Sequence, residues 1–259
     1  MADDARNPSG VEDPRTRRLP WEGCLNVRDL GGYLTADGHE TAWGAIVRAD
    51  NLASLTPAGC AALVAYGVRS ILDLRRPHEV ARSPNPFARG APHGIASANV
   101  SFGDPLVPPP TGGSLADRYQ RALVLFPHRI TAILRAIACA PDGGVVLHCN
   151  GGKDRTGLIA ALLLDLVGVD RATIAADYAL STDCLRPRDL AWLEHGPGER
   201  AARERQLRED SPRVEVMREV LGNLDAHYGG TAGYLRAAGM TPADLQGVRA
   251  RLLRVASRL

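Results

Sequence analysis

A short apolar strand, a glycine-rich loop and an apolar helix follow one another in the middle of this chain. Residues 145–147 read Val-Val-Leu, a run typical of a strand buried in a parallel sheet. Residues 156–169 carry apolar side chains nearly all round the predicted helix, which indicates a buried rather than an amphipathic helix. Because buried elements need covering layers, this segment predicts the centre of an α/β protein.

The N-terminal half repeats the alternation of strand and helix. Thr56 and Pro57 suit the N-cap and first position of a helix over residues 57–66, and Gly67 suits its end. The other predicted elements are an Asp-Gly hairpin at 32–41, strands at 45–47, 68–74 and 95–102, loops at 77–94 and 103–113, a helix at 114–138, and two short helices within 228–253.

Composition excludes several classes of protein. The 259 residues are 45% hydrophobic and 23% charged, as in a globular chain of one large or two small domains. The net charge of +2 gives no general attraction to nucleic acid or to a membrane surface. The longest apolar run, 158–169, contains Asp165 and is shorter than the roughly 20 residues of a membrane span. Residues 1–20 combine charges with prolines and predict a flexible lead-in.

The five cysteines indicate neither a disulfide framework nor a zinc site. Their number is odd, none are spaced as C-x-x-C, and no histidine cluster accompanies them. No secretory signal is visible at the N-terminus. We therefore expect a cytoplasmic protein that needs no metal.

The loop between the buried strand and helix has the composition of an anion site. A loop that ends in a helix N-terminus presents free backbone amides to a negative charge, and Gly151 and Gly152 let the backbone curl around it. Cys149 precedes Arg155 with five residues between them. The amides and the guanidinium favour a thiolate at Cys149, and Arg155 matches two phosphate oxygens.

These residue types predict a two-step hydrolysis of phosphate monoesters. Cys149 attacks phosphorus in line, and water then hydrolyses the cysteinyl-phosphate. The amides and Arg155 neutralise the charge without a metal, and Thr156 is expected to hydrogen-bond the departing sulfur. A Walker A loop is excluded because Leu147 stands where its first glycine belongs, and no Rossmann fingerprint is present.

Residues 148–157 resemble the signature of the cysteine-dependent protein tyrosine phosphatase superfamily. The ending Gly-Lys-Asp-Arg-Thr-Gly is similar to a bacterial tyrosine-phosphatase-like family whose members also act on serine/threonine phosphate and phosphoinositides. Blocks at 26–33, 48–50, 67–75 and 228–236 resemble the same family. The resemblance implies one domain over residues 21–259, with a central, mostly parallel sheet flanked by helices and extra helical C-terminal or lid segments.

The resemblance also assigns roles by position. It makes Cys149 the nucleophile and Arg155 the phosphate clamp. Residues 150–155, called the phosphate cradle below, and Thr156 are the implied phosphate-binding residues: Asn150, Gly151, Gly152, Lys153, Asp154, Arg155 and Thr156. Lys153, the only lysine of the chain, would place a second positive charge beside the phosphate.

One departure from the family lies at the start of the cradle. Relatives often carry a small or aromatic residue followed by alanine where this chain has Asn150 and Gly151. We expect the polar side chain of Asn150 at the rim to alter substrate preference.

Three aspartates are candidates for the general acid, since no Trp-Pro-Asp sequence is present. The resemblance favours Asp154. Asp104, in a Gly-Asp-Pro loop after a predicted strand, has the usual topological place, and Asp73 at a strand end is third. Each of them could instead pair with an arginine for structural reasons.

The predicted function is that of a metal-independent phosphatase without cofactors. Its substrate is a phosphoprotein, a phosphoinositide or a small sugar or nucleoside phosphate, and no nucleic-acid partner is expected. The alternatives are a catalytically silent phosphate-binding pseudophosphatase and a rhodanese-like sulfurtransferase. Residues 77–113 and 184–212, which include the charge-dense stretch 194–210, are the expected walls or lid.

Overall fold

The structure of the protein is a computed structural model that describes residues 16–89, 92–104, 106 and 113–253. The strands are β1 (Arg28–Asp29), β2 (Ile46–Ala49), β3 (Val68–Asp73), β4 (Ala96–Asn99) and β5 (Gly144–His148). The α-helices are α1 (Pro57–Ala65), α2 (Pro77–Arg82), α3 (Leu115–Leu125), α4 (Pro127–Ala138), α5 (Arg155–Leu166), α6 (Arg171–Ala179), α7 (Ser181–His195), α8 (Arg200–Glu209), α9 (Val214–Tyr228), α10 (Thr231–Ala237) and α11 (Pro242–Leu252). Short 3-10 turns cover Leu52–Ser54 and Pro92–Gly94.

The strands form one mostly parallel sheet in the order β1-β2-β5-β3-β4. Strands β2, β5, β3 and β4 run parallel, and β1 pairs antiparallel with β2 at the edge. Strand β5 lies between β2 and β3 and is buried along its whole length. The α/β class with a mostly parallel sheet, predicted from the sequence, is confirmed. The loop after β5 leaves the sheet at the carboxyl ends of the parallel strands, where such folds bind ligands.

Two hydrophobic clusters cover the two faces of the sheet. Val145 and Leu147 belong to the larger cluster, which holds side chains of α3, α4, α5, α6, α9, α10 and α11. Val146 points the other way, toward Trp21 and Leu63 of α1, as the alternation along a strand requires. Helix α5 is buried at every position except Asp165, which confirms the prediction for this helix.

Prolines explain two differences from the predicted elements. Residues 77–82 form helix α2 rather than a loop, because Pro77 occupies the first helical position and Glu79 bonds back to the N-cap amide. The predicted helix over 114–138 is two helices, since Phe126 leaves the helical conformation before Pro127.

Two predicted β elements are shorter than expected. The strand expected over 95–102 is limited to β4. The Asp-Gly segment at 32–41 turns back on itself as predicted, with backbone bonds from Thr35 to His39 and from Gly32 to Thr41. Its ladder is limited to an isolated bridge between Leu34 and Glu40, and Thr35 bridges to Val169. The carbonyl of Gly168 accepts a bond from the amide of Ala36, so contacts with the end of α5 compete with the hairpin ladder.

The charge-dense stretch at 194–210 forms α8, which packs beside α7. Arg203 is buried there, and its guanidinium donates to the carbonyls of Leu193, Gly196 and Pro197 at 2.7, 2.8 and 3.2 Å. One arginine thus fastens the turn between the two helices. Within the described residues, no helix combines the length and the apolar character needed to cross a bilayer.

Candidate active site

The phosphate cradle joins the end of β5 to the start of α5. Cys149 follows β5 directly and is only 2% exposed, and Arg155 is the first residue of α5. The first-turn amides of such a helix have no acceptor within the helix. Gly152 adopts a φ of +61°, and a β-carbon there would lie 2.6 Å from the carbonyl oxygen of Ala49. The tight curve against β2 therefore requires glycine at 152.

Side chains from the N-terminal segment and β2 hold the cradle from behind. Asn26 donates from Nδ2 to the carbonyl of Gly151 at 2.8 Å, and Arg48 donates from Nη2 to the carbonyl of Gly152 at 2.7 Å. Both bonds are directed at the backbone, so they fix its path and leave the opposite side of the loop to a ligand.

Arg48 is itself part of a buried charge cluster. Asp177 of α6 pairs with Nε of Arg28 at 2.9 Å and with Nη1 of Arg48 at 2.5 Å. Burial alone would raise the pKa of Asp177, but the two guanidinium groups outweigh it and hold that pKa well below its ordinary value. The block at 26–33 and Arg48, recognised by resemblance only, thus support the loop.

Glu79 of α2 fixes the side chain of Arg155. Its Oε2 accepts from Nη1 of Arg155 at 2.7 Å, and its Oε1 accepts from Nη2 at 3.1 Å. The backbone amide of Arg76 and Nδ2 of Asn150 donate to the same carboxylate. Burial would raise the pKa of Glu79, but these bonds lower it to about 2, so Glu79 is charged at neutral pH.

Arg155 keeps its positive charge in this setting. Burial by itself would lower the pKa of Arg155, but the charges of Cys149 and Glu79 raise it above its ordinary value. Glu79 uses one proton from each terminal nitrogen, and a guanidinium has five donors in all. The Nε proton and the second proton of each terminal nitrogen are therefore not used by Glu79, and they are available to phosphate oxygens.

Glu79 was missed in the sequence because residues 77–94 look like a proline-rich loop. The signal that could have found it is local. Pro77 followed by Glu79 is the pattern of a helix start with a capping carboxylate, directly after the predicted strand that ends in Arg75. A short helix there places a carboxylate at the mouth of the loop.

Asp154, a residue of the cradle, is bonded by a buried tyrosine. Its Oδ1 accepts a hydrogen bond from the hydroxyl of Tyr119 at 2.5 Å, and that hydroxyl lies 2.9 Å from the hydroxyl of Tyr178. Both tyrosines are buried. Burial and the neighbouring charge of Asp154 raise the pKa of Tyr119 well above its ordinary value, so Tyr119 remains a donor.

Lys153 turns away from the cradle in this conformation. Its Nζ donates to the carbonyl of Asp210 at 2.8 Å and lies 3.8 Å from Oδ1 of Asp154. Lys153 therefore ties the cradle to the end of α8. Its role beside a bound phosphate stays a prediction.

The other two candidate acids lie outside the cradle. Asp104 pairs with Nη1 of Arg76 at 3.0 Å, and its side chain is 43% exposed. Asp73 is buried, bonds Nη2 of Arg75 at 2.6 Å and lies 3.4 Å from Nε2 of His148. Burial would raise the pKa of Asp73, but Arg75 and His148 lower it overall.

His148 and Thr156 flank the reacting residues. Burial lowers the pKa of His148 to about 4, so the imidazole behind Cys149 is neutral near pH 7. Within the described part of the chain, the buried Oγ1 of Thr156 makes no hydrogen bond. The predicted bond to the Cys149 sulfur is thus not formed in this conformation, and it stays a prediction for the phosphorylated intermediate.

An apolar groove adjoins the cradle at Lys153. It has a volume of about 190 Å³ and lies between α7 and α8, lined by Leu185, Leu190, Leu193 and Leu207. The segment predicted as a wall or lid therefore borders the site. All five cysteines are free thiols. Among the described residues, no three His, Cys, Asp or Glu side chains come together as a metal site would require.

Comparison of the sequence with known proteins identifies its family. The sequence model of a family described as the tyrosine phosphatase family matches residues 19–254. A tyrosine-protein phosphatase of Nostoc commune is 34% identical over 226 residues, which cover 80% of this chain and 74% of the relative. The triple specificity protein phosphatase PtpB of Mycobacterium tuberculosis is 30% identical over an alignment that covers 92% of this chain and 99% of the relative. The chain therefore belongs to the tyrosine phosphatase family and is a phosphoric monoester hydrolase.

Proposed function

We propose that this phosphatase works through a cysteinyl-phosphate. The thiolate of Cys149 attacks phosphorus, the bond from phosphorus to the ester oxygen breaks, and the leaving oxygen takes a proton from Asp154. Water then attacks phosphorus, the bond from phosphorus to sulfur breaks, and one proton of the water passes to Asp154. Inorganic phosphate leaves, and Cys149 is again a thiolate. The observation that carries this proposal is the arrangement of the loop: Cys149 is buried at its start, and Glu79 fixes the side chain of Arg155 at its end.

Charge neutralisation in this mechanism comes from the protein itself. The phosphoryl oxygens accept bonds from the cradle amides and from the donors of Arg155 that Glu79 leaves unused. We therefore expect hydrolysis to continue in the presence of a metal chelator such as EDTA.

Asp154 is the general acid that the contacts favour. It lies in the cradle, one residue before Arg155, and the hydroxyl of Tyr119 fixes one of its oxygens. The other oxygen is left to carry the proton. Asp73 is committed to Arg75 within the sheet, and Asp104 is held at the surface by Arg76.

The proposed substrates are phosphoproteins, phosphoinositides or small sugar or nucleoside phosphates. The name of the Mycobacterium tuberculosis relative, which describes triple specificity, supports a broad range of phosphate esters. We also propose that residues 21–259 act as one domain. Five free cysteines are consistent with a cytoplasmic location.

Turnover of para-nitrophenyl phosphate by the wild type and by Cys149→Ser tests the proposed mechanism. We expect activity in the wild type and none in the variant. Phosphate binding without turnover in the wild type would identify a pseudophosphatase. Transfer of sulfur from thiosulfate to cyanide would identify a rhodanese-like enzyme.

A further inference from the structure

Arg188 of α7 lies against the cradle at Gly151. Its Nη1 and Nη2 come within 3.1 and 3.5 Å of the point where a β-carbon on Gly151 would stand, and Leu185 lies 3.7 Å from the same point. The guanidinium therefore lies so close to position 151 that an added β-carbon would make it shift by a few tenths of an ångström.

Position 151 differs from position 152 in what an added side chain would meet. Gly152 needs glycine because its φ is positive, whereas the backbone of Gly151 stays outside that region. An alanine at 151 would bring its methyl group against the end of the Arg188 side chain. A side chain at 151 and the Arg188 guanidinium would thus compete for the same space.

The charge of Arg188 is only weakly engaged. Its Nη2 pairs at 3.2 Å with the carboxylate of Asp189, the next residue on the same helix, and the Arg188 side chain is 45% exposed. Ion pairs of this kind contribute little and are readily exchanged for another anion. Gly151 belongs to the cradle and comes two residues after Cys149, so this charge lies next to the loop that is proposed to hold the phosphoryl group.

We propose that Arg188 binds a second anionic group on the substrate, a phosphate or a carboxylate next to the phosphate ester, and that Gly151 gives it the room to do so. Arg155 holds the transferred phosphoryl group. Arg188 selects esters that have a second anionic group next to that phosphoryl group. This inference rests on the proposed function, since the selected esters are those that Cys149 hydrolyses.

The test compares two aryl phosphates of the same shape and different charge. The ratio of kcat/KM for meta-carboxyphenyl phosphate to kcat/KM for meta-carbamoylphenyl phosphate isolates the contribution of the second anion. We expect this ratio to fall about five-fold in Arg188→Gln, as the loss of a half-exposed ion pair implies. Resorcinol bisphosphate against phenyl phosphate gives the same comparison for a second phosphate.

Gly151→Ala is the second variant, and Arg205→Gln on α8 is the charge control. We expect Gly151→Ala to lower the ratio by a smaller factor, because the methyl group shifts the guanidinium by a few tenths of an ångström and leaves its charge in place. The ratio in the double variant should fall no further than in Arg188→Gln, since both changes act on the same interaction. The ratio should be unchanged in Arg205→Gln.

A fall on either pair of substrates in Arg188→Gln supports the proposal and identifies the anion. An unchanged ratio on both pairs of substrates overturns it. It is also overturned if the fall in the double variant equals the product of the falls in Arg188→Gln and Gly151→Ala. Arg188 is exposed, so its variant decides the question even if Gly151→Ala is poorly folded. Turnover of meta-carbamoylphenyl phosphate that survives Cys149→Ser would instead overturn the proposed mechanism.

Discussion

Glu79 and Arg155 form a two-pronged ion pair, with Oε2 to Nη1 at 2.7 Å and Oε1 to Nη2 at 3.1 Å. The two residues come from different helices, α2 and α5, and both side chains are mostly buried. The pair sets the plane of the guanidinium, which is what decides whether two phosphate oxygens can be bound at once.

Glu79→Gln removes the charge of this pair and keeps its shape. We expect kcat/KM for an aryl phosphate to fall about a hundred-fold, because a misplaced Arg155 no longer matches the transition state. Steady-state kinetics measure the change, and Glu219→Gln, at an exposed position of α9, is the matched control. Normal kinetics in Glu79→Gln would show that Arg155 needs no such support.

Gly152→Ala tests the curve of the cradle. A β-carbon there would lie 2.6 Å from the Ala49 carbonyl at a positive φ, so we expect unfolding to become easier by about 1–3 kcal/mol and activity to drop. Gly222→Ala on α9 is the control, since nothing lies within 4 Å of its β-carbon position. That change should stabilise the protein by about 0.5–1 kcal/mol. Urea unfolding measures both free energies of unfolding. Equal stabilities of the two variants would contradict the close approach of position 152 to the Ala49 carbonyl.

The general acid can be identified from pH–rate profiles of Asp154→Asn and Asp104→Asn. We expect Asp154→Asn to lose the fall in kcat at high pH and to lose about 10²–10⁴-fold in rate. Asp104→Asn should keep the bell shape of the wild type, because Asp104 is held at the surface by Arg76. If the high-pH limb persists in Asp154→Asn, another group donates the proton.

The neutral state of His148 makes stability depend on pH. Burial lowers the pKa of His148 from 6.5 to about 4, so the unfolded chain binds a proton more readily than the folded one between these values. This contribution is complete above pH 6.5 and is lost as the pH falls toward 4. We expect the free energy of unfolding to drop by about 2 kcal/mol between pH 7 and pH 5.

Urea unfolding of His148→Gln and of a control measures this effect. The drop should be largely absent in His148→Gln and retained in His195→Gln, whose side chain is 82% exposed. A wild-type curve that is flat from pH 7 to pH 5 would show that His148 is not held neutral.

The cradle could be predicted because its signals are local. The apolar run Val145, Val146 and Leu147 predicts a buried strand, and residues 156–169 predict a buried helix. The spacing of Cys149 and Arg155 on the loop between them can be read directly from the sequence. The structure of α2 could not be predicted from apolar periodicity, since no residue of this short helix is fully buried and its start depends on Pro77 and a capping carboxylate.

Contacts between distant segments could not be predicted from the sequence for a different reason. Lys153 lies in the predicted loop, but the direction of its ammonium depends on the carbonyl of Asp210, many residues away. Likewise, Tyr119 on α3 and Arg188 on α7 reach the cradle only through the packing of helices against the sheet. No local pattern specifies which side of a helix meets a given loop when several helices share one face.

The proposed mechanism depends on a covalent bond between phosphorus and the sulfur of Cys149. Mass spectrometry of enzyme quenched in acid during turnover of an aryl phosphate tests it directly. We expect one phosphoryl group on the peptide that contains Cys149, and none in Cys149→Ser. A phosphoryl group on another residue, or steady turnover by Cys149→Ser without any phosphorylated peptide, would contradict it.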